Sequence, residues 1–260
     1  MSKNKFFEKR CEKFMADNLI SKGQKVDLII TSPPYNIGRS YDKYKDSLPR
    51  EKYIVWLTHL FKHFNLILEE NRVVLFNMSY SKLDPSLHYS AITEIEKKTN
   101  FRVVDTICWV KPNSTPLSST NRLTRKYELI FVFARITELD TFHINKKVTS
   151  ISKNGKVNNS PIDNILYCKN GKSRGGNIST FSVELINNLI RIYGKMNDIL
   201  YDPFMGTGTT AVSSLFMNCN FVGSEISTEQ VLISTDRYKK SERFVKLNYL
   251  LYKKDVRKKF

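Results

Sequence analysis

No apolar run in this sequence approaches the roughly eighteen residues that a membrane-spanning helix requires. The opening stretch, "MSKNKFFEKRCEKF", is too charged for a secretory leader, and the expectation is a soluble cytoplasmic chain with no membrane partner. Cysteine is scarce. Cys11, Cys108, Cys168 and Cys219 stand far apart without paired spacing, which excludes a zinc-ribbon pattern and a disulfide framework and suits a reducing compartment. His59 and His63 have the i, i+4 spacing of metal ligands, but "HLFKH" lacks the glutamate of the metalloprotease pattern. Both also fall off the neighbouring apolar stripe, so they read as solvent-facing and no metal is expected. Acid is under-represented. Twenty-five Asp and Glu against 42 Lys and Arg leave a net charge of +17, which points to a polyanionic partner. The bland alternative is a lysine-rich surface with no particular ligand.

What is present is a rhythm of short β-branched runs: 26–30, 72–76, 101–110, 128–134, 198–204 and 219–226. Between several of them lie helical patterns. Tyr53, Trp56, Leu57, Leu60, Phe61, Phe64, Ile67 and Leu68 repeat at three and four, as do Val183, Leu185, Ile186, Leu189, Ile190 and Tyr193. Strands alternating with helices predict an α/β fold, a doubly wound and mostly parallel sheet. The runs 101–110 and 128–134 have no helix between them and predict an antiparallel pair at one edge. The 260 residues read as a single domain. Two stretches break the rhythm. Residues 112–126 are rich in Ser, Thr and Pro with three basic residues, and 145–176 hold seven basic residues and one acid. Neither supplies a core face, so both read as surface loops or a small appended region. The C-terminal "YKKDVRKKF" reads as a solvated basic tail.

Two stretches carry chemistry. The aliphatic run "VDLII" ends in "TSPPYNIG" (31–38), where consecutive prolines lack N–H groups and fix φ, so the strand stops in a rigid extended loop. In open α/β sheets ligands bind at such carboxyl ends. The second is "DILYDPFMGTGTT" (198–210), a strand, a tight turn at Gly206 and Gly208, and the start of a helix whose N–H groups face a ligand. The next strand ends about twenty residues on at Glu225, where a carboxylate can accept ribose hydroxyls. No Gly-Lys-Ser/Thr follows the turn, so the ligand is an adenosine-type cofactor that need not carry phosphates.

With both motifs in view, the chain resembles the DNA amino-methyltransferases over residues 15–134 and 177–238. Their permuted β-class order, with the catalytic tetrapeptide before the cofactor loop, is found here. The resemblance implies the S-adenosylmethionine-dependent methyltransferase fold, S-adenosylmethionine as cofactor and double-stranded DNA as substrate. It also allows a companion restriction endonuclease for the same site and a homodimer. Ser32, Pro33, Pro34 and Tyr35 match the catalytic tetrapeptide. Asp202, Pro203, Phe204, Gly206, Gly208 and Thr209 match the cofactor loop, and Glu225 the ribose-binding acid. Asp17 lies in a segment like the one that closes over adenine. Phe181 and Ser182 fall beside the methionine moiety, although Asn177, Ile178 and Ser182 replace the usual His-Pro and second proline. Residues 135–176 take the place of the inserted target-recognition region, with Lys169, Lys172 and Arg174, joined by Arg122 and Arg125, as expected DNA contacts.

In the family that the chain resembles, members with Ser before the prolines are mostly cytosine-N4 enzymes and those with Asp or Asn mostly adenine-N6 enzymes, so the resemblance at Ser32 favours cytosine-N4 over adenine-N6 as the methylated position. Cytosine-C5 chemistry needs a thiolate, and no cysteine here follows a proline. The reading from another class is a silent nucleic-acid-binding protein of the same fold, which predicts decayed motifs. Both motifs are intact.

Overall fold

The computed structural model describes residues 4–38, 43–79, 84–119, 121–171 and 181–257, with side chains through 248. In chain order the elements are β1 (Lys5–Glu8), α1 (Cys11–Phe14), β2 (Leu28–Thr31), α2 (Arg50–Ile67), β3 (Val74–Met78) and α3 (Leu87–Lys98). Then come β4 (Phe101–Val110), β5 (Tyr127–Arg135), β6 (Val148–Ile151), β7 (Val157–Asn159) and β8 (Ile165–Tyr167). The chain closes with α4 (Val183–Tyr193), β9 (Ile199–Asp202), α5 (Thr209–Phe216), β10 (Asn220–Glu225) and α6 (Thr228–Arg257).

Strand β2 is buried at every position because both faces of the sheet are covered, which is why it reads as an unbroken aliphatic run. Its side chains alternate between two cores. Ile29 joins Phe14, Tyr53, Phe61 and Ile95 from the segment around α1, α2 and α3. Leu28 and Ile30 face the other way, among Leu185, Leu189, Ala211 and Tyr238 from α4, α5 and α6. The eight-stranded sheet has the order β1-β10-β9-β2-β3-β5-β4-β8. From β1 to β3 neighbours run parallel, while β5 is antiparallel to both β3 and β4.

Strands β2 and β9 lie side by side (Leu28↔Leu200, Ile29↔Tyr201) although they are distant in sequence. From β2 the chain moves outward to β3, and from β9 it moves the opposite way to β10. The order therefore reverses between them, and a crevice opens there at the carboxyl ends. At the opposite end, Arg72 clamps the amino ends of these strands, donating to Asp198 at 2.7 and 2.9 Å and to Asp27 at 3.2 Å.

The structure corrects two expectations. The antiparallel pair is not the last element of the sheet, because β8 adds outside β4 in parallel. Residues 145–176 are also not free of the core. The Trp109 indole donates to the Cys168 carbonyl at 2.7 Å, and Cys168 is buried. The physical cause is the long edge of β4, whose N–H and C=O groups need partners; Cys108 N–H, for example, finds the Asn164 carbonyl at 2.8 Å. Residues 148–159 of that stretch form an exposed β6–β7 hairpin. Helix α6 continues to Arg257, so residues 252–257 of the basic C-terminal stretch are helical. His59 is exposed, and the His63 ring nitrogen lies 2.9 Å from the His59 carbonyl. Among the described residues no helix is long and apolar enough to cross a membrane.

Candidate active site

The tetrapeptide leaves the carboxyl end of β2 and the glycine turn leaves that of β9, so the strand pairing sets the two loops side by side. Asp202 joins them: its carboxylate accepts from Thr31 Oγ1 (3.4 Å), Phe204 N–H (3.1 Å) and Thr210 Oγ1 (2.7 Å). Burial first, and the nearby Glu225 charge among lesser causes, push its carboxyl up to about 7. The turn has Gly206 at φ 48° and Gly208 at φ 75°, both in the left-handed region that favours glycine. Arg237, on α6, braces it from behind by donating to the Thr207 carbonyl (3.0 Å) and Thr209 Oγ1 (2.9 Å). Glu225 closes the turn, accepting from Gly206 N–H at 3.0 Å, Ile226 N–H at 2.8 Å and Ser227 N–H at 3.0 Å.

Around this turn stand aromatic rings. Trp56 meets Phe204 edge-on with centroids 5.7 Å apart and stacks with Tyr44 at 6.5 Å. Its indole donates to Glu12 at 2.6 Å. Asp17 lies half-exposed at the rim, paired at 2.8 Å with Lys9, which follows β1 and donates its backbone N–H to the Glu225 carbonyl. Ser182 caps α4, its Oγ accepting from Leu185 N–H at 3.2 Å. Phe181 packs on Trp109 with centroids 6.1 Å apart.

Tyr35 is half-buried and its hydroxyl is anchored. Ser32 Oγ donates to Tyr35 Oη at 2.9 Å, and Tyr35 Oη donates to Glu128 Oε2 at 3.1 Å. Asn77 Nδ2 donates to Tyr35 Oη and, at 2.7 Å, to Glu128 Oε2. Lys111 pairs with Glu128 Oε1 and sits over the Trp109 ring, 4.2 Å from its centroid. Burial, and next the Glu128 charge, hold the Tyr35 phenol well above its usual range. Asn77 Oδ1 is buried without a hydrogen-bond partner among the described residues, an arrangement that costs roughly 1–3 kcal/mol. The loop is fixed further on: Tyr53 donates to the Pro34 carbonyl at 2.6 Å, and Asp46 accepts from Asn36 and Ile37 N–H at 2.8 and 3.0 Å.

The structure thus gathers Ser32 to Tyr35, Asp202 to Thr209 and Glu225 along one edge of the sheet. The basic segments reach the same edge. The 112–126 loop joins the carboxyl end of β4 to the start of β5, and Asn170 N–H donates to Asn113 at 2.8 Å, which brings the segment after β8 alongside it. Arg122, Arg125 and Lys169 are exposed there. Lys172, Arg174, Asn177 and Ile178 lie outside the described residues. Sequence reasoning missed Asn77, Lys111, Glu128 and Arg237. The signal for the first three was a polar residue at the end of an apolar strand facing this edge.

A doubly wound sheet with a glycine turn and a proline-stiffened loop across its switch point has the architecture of a nucleoside-binding α/β protein. The chain belongs to the DNA methylase family, which it matches over residues 26–236. It is 26% identical over 232 residues to the type II methyltransferase M.BglII of Bacillus subtilis, covering 80% of this chain and 62% of that one. To M.MwoI of Methanothermobacter wolfeii it is 28% identical over 197 residues, 71% of this chain and 26% of that one. The chain therefore spans less than two thirds of either relative. In three dimensions it is similar to the PvuII DNA methyltransferase (cytosine-N4-specific), with a TM-score of 0.68 at 16% identity over 94% and 93% of the two chains. The cofactor of this family is S-adenosylmethionine. The residues fit it: a carboxylate at a strand end, a left-handed glycine turn and an aromatic wall suit an uncharged nucleoside better than a phosphate.

Proposed function

We propose that this chain methylates the exocyclic N4 of a cytosine turned out of duplex DNA. The observation that carries this reading is the hydrogen-bonded loop Ser32-Pro33-Pro34-Tyr35 held one strand away from the glycine turn. Bound S-adenosylmethionine supplies an activated methyl group; Glu225 would hold its ribose, the Gly206–Thr209 turn its amino-acid portion, and Asp17, Phe181 and Ser182 its flanks.

The chemical problem is the amine, whose lone pair is delocalised into the ring. Ser32 Oγ and the Pro33 carbonyl accept its two N–H bonds and favour a pyramidal nitrogen with a localised lone pair. Tyr53 occupies the Pro34 carbonyl, and no described residue donates to that of Pro33. The Tyr35 ring offers a stacking face for the extruded base. Because the prolines, Tyr53, Asn36 and Asp46 fix the loop beforehand, little conformational freedom is lost on reaching reactive geometry. Lys169, Lys172, Arg174, Arg122 and Arg125 would grip phosphates of the flanking duplex. The type II names of the relatives support a modification role beside a restriction endonuclease of the same specificity.

Serine at position 32 supports cytosine over adenine, as does the specificity in the name of the PvuII enzyme. The test is to treat DNA with the protein and a methyl-labelled cofactor, digest it and separate the nucleosides. Label is expected in N4-methylcytosine. Label in N6-methyladenine alone would move the reading to adenine, and no label in any nucleoside would leave a DNA-binding protein only.

A further inference from the structure

Four elements send polar side chains to one point beneath the tetrapeptide: the loop after β2 (Ser32, Tyr35), β3 (Asn77), the end of β4 (Lys111) and β5 (Glu128). Hydrogen inventory decides how they are wired. The Glu128 carboxylate can only accept, and Asn77 Nδ2 can only donate, which it does to both Glu128 and Tyr35. Tyr35 has one hydrogen and two candidate acceptors, Glu128 Oε2 at 3.1 Å and Ser32 Oγ at 2.9 Å. Given to Ser32, it would leave a phenol lone pair facing a carboxylate in a site shielded from water. Given to Glu128, it makes a charge-assisted bond. Tyr35 therefore donates to Glu128, and the Ser32 hydrogen is committed to Tyr35.

Resting on the reading that Ser32 receives the substrate amine, we propose that Glu128 is a positioning residue. Acting through Tyr35, it turns the Ser32 hydroxyl so that only oxygen lone pairs face the bound base. The site then accepts a base edge that donates N–H, as cytosine and adenine do, and repels the carbonyl edge of their keto counterparts. Selection for an amine is thus set on β5, three successive hydrogen-bonded contacts of about 3 Å each and so at most about 9 Å from the base nitrogen.

Lys111 makes the arrangement directional. In Glu128→Gln the side chain keeps its shape, but its amide oxygen is drawn to the Lys111 ammonium and its NH2 falls toward Tyr35 and Asn77. Asn77 Nδ2 still faces Tyr35 Oη as a donor, so it offers Tyr35 no acceptor. Tyr35, deprived of its acceptor, then gives its hydrogen to Ser32, and Ser32 presents O–H to the base.

The experiment compares wild type, Glu128→Gln, Tyr35→Phe and the double variant. Two quantities are read: single-turnover methyl transfer to a duplex bearing the methylated site, and relative affinity for that duplex against one with the keto counterpart (uracil for cytosine, hypoxanthine for adenine). Glu128→Gln should slow transfer by at least about tenfold and reduce the amine-over-keto preference, while cofactor affinity stays within about twofold. The double variant should be no slower than the slower single variant, because both act through one hydroxyl. Retained preference with transfer within about twofold of wild type would overturn the proposal, as would single effects that multiply in the double variant. Should Glu128→Gln fail to fold, Tyr35→Phe, which keeps the ring, decides by the same affinity ratio: loss supports the wiring and retention overturns it. A wild-type protein that methylates no DNA would remove the underlying reading instead, a result distinct from normal methylation by the glutamine variant.

Discussion

Asp202 is a residue whose type the loop requires and whose burial the fold opposes. Its carboxyl is 3% exposed and pushed up to about 7, against 3.8 when unperturbed. The native state therefore keeps its proton to higher pH than the unfolded chain. Between about pH 4 and 7 the native state binds more protons, so this group's contribution to stability falls as pH rises and levels off above the native value. Asp202→Asn keeps the shape and removes the charge. Its melting temperature relative to wild type should rise as pH goes from about 4 to 7, by an amount equivalent to at most about 4 kcal/mol. A difference that does not change with pH would show that Asp202 is not held protonated. The same scale shows what the sequence disclosed. Ser32, Asp202 and Glu225 were legible because each sits in a short motif whose geometry is local. Glu128, Asn77 and Lys111 were not, since their meeting depends on strand order: Glu128 and Tyr35 are 93 positions apart.

Among the elements, the turn between β9 and α5 is the most tightly specified. Gly208 has φ 75°, and a Cβ placed there would lie 2.7 Å from Ser234 Cβ on α6. Both the backbone angle and the close approach of α6 exclude a side chain, and Arg237 on the same helix holds the turn's oxygens. Gly208→Ala should therefore cost about 1–3 kcal/mol and weaken S-adenosylmethionine binding, because the amides of the turn shift with it. Adding Ser234→Gly should return part of the stability by removing the contact, while the strain at φ remains. Urea midpoints and calorimetric titration with the cofactor check both; unchanged values in Gly208→Ala would mean that the turn adapts. Strands β2, β3 and β9 were readable as aliphatic runs because both of their faces are covered. Helix α2 was readable from its stripe. Strands β1, β7 and β8 were not, because three or four residues carry no period, and their formation is dictated by strand edges that neighbouring elements expose. Helix α3 escaped as well, since "LHYSAITEIEKK" buries only one narrow stripe.

For the molecule as a whole, the reversal of strand order between β2 and β9 turns two distant motifs into one site. At the same edge lie the exposed Arg122, Arg125 and Lys169, and the chain's net charge of +17 would favour a polyanion. The basic stretch 145–176 was legible in composition but not in form, because the pairing of β8 with β4 follows from the length of β4 rather than from anything in those residues. The account's central claim is that Ser32 and its loop direct methylation of an exocyclic amine in DNA. Single-molecule sequencing of DNA from cells expressing the wild-type chain or Ser32→Ala tests it most directly, since modified base and site are read together. The account predicts N4-methylcytosine at one short sequence in the wild type and at least about a tenfold loss of that mark with Ser32→Ala. Equal marking by both proteins, or no marked base in either, would contradict it.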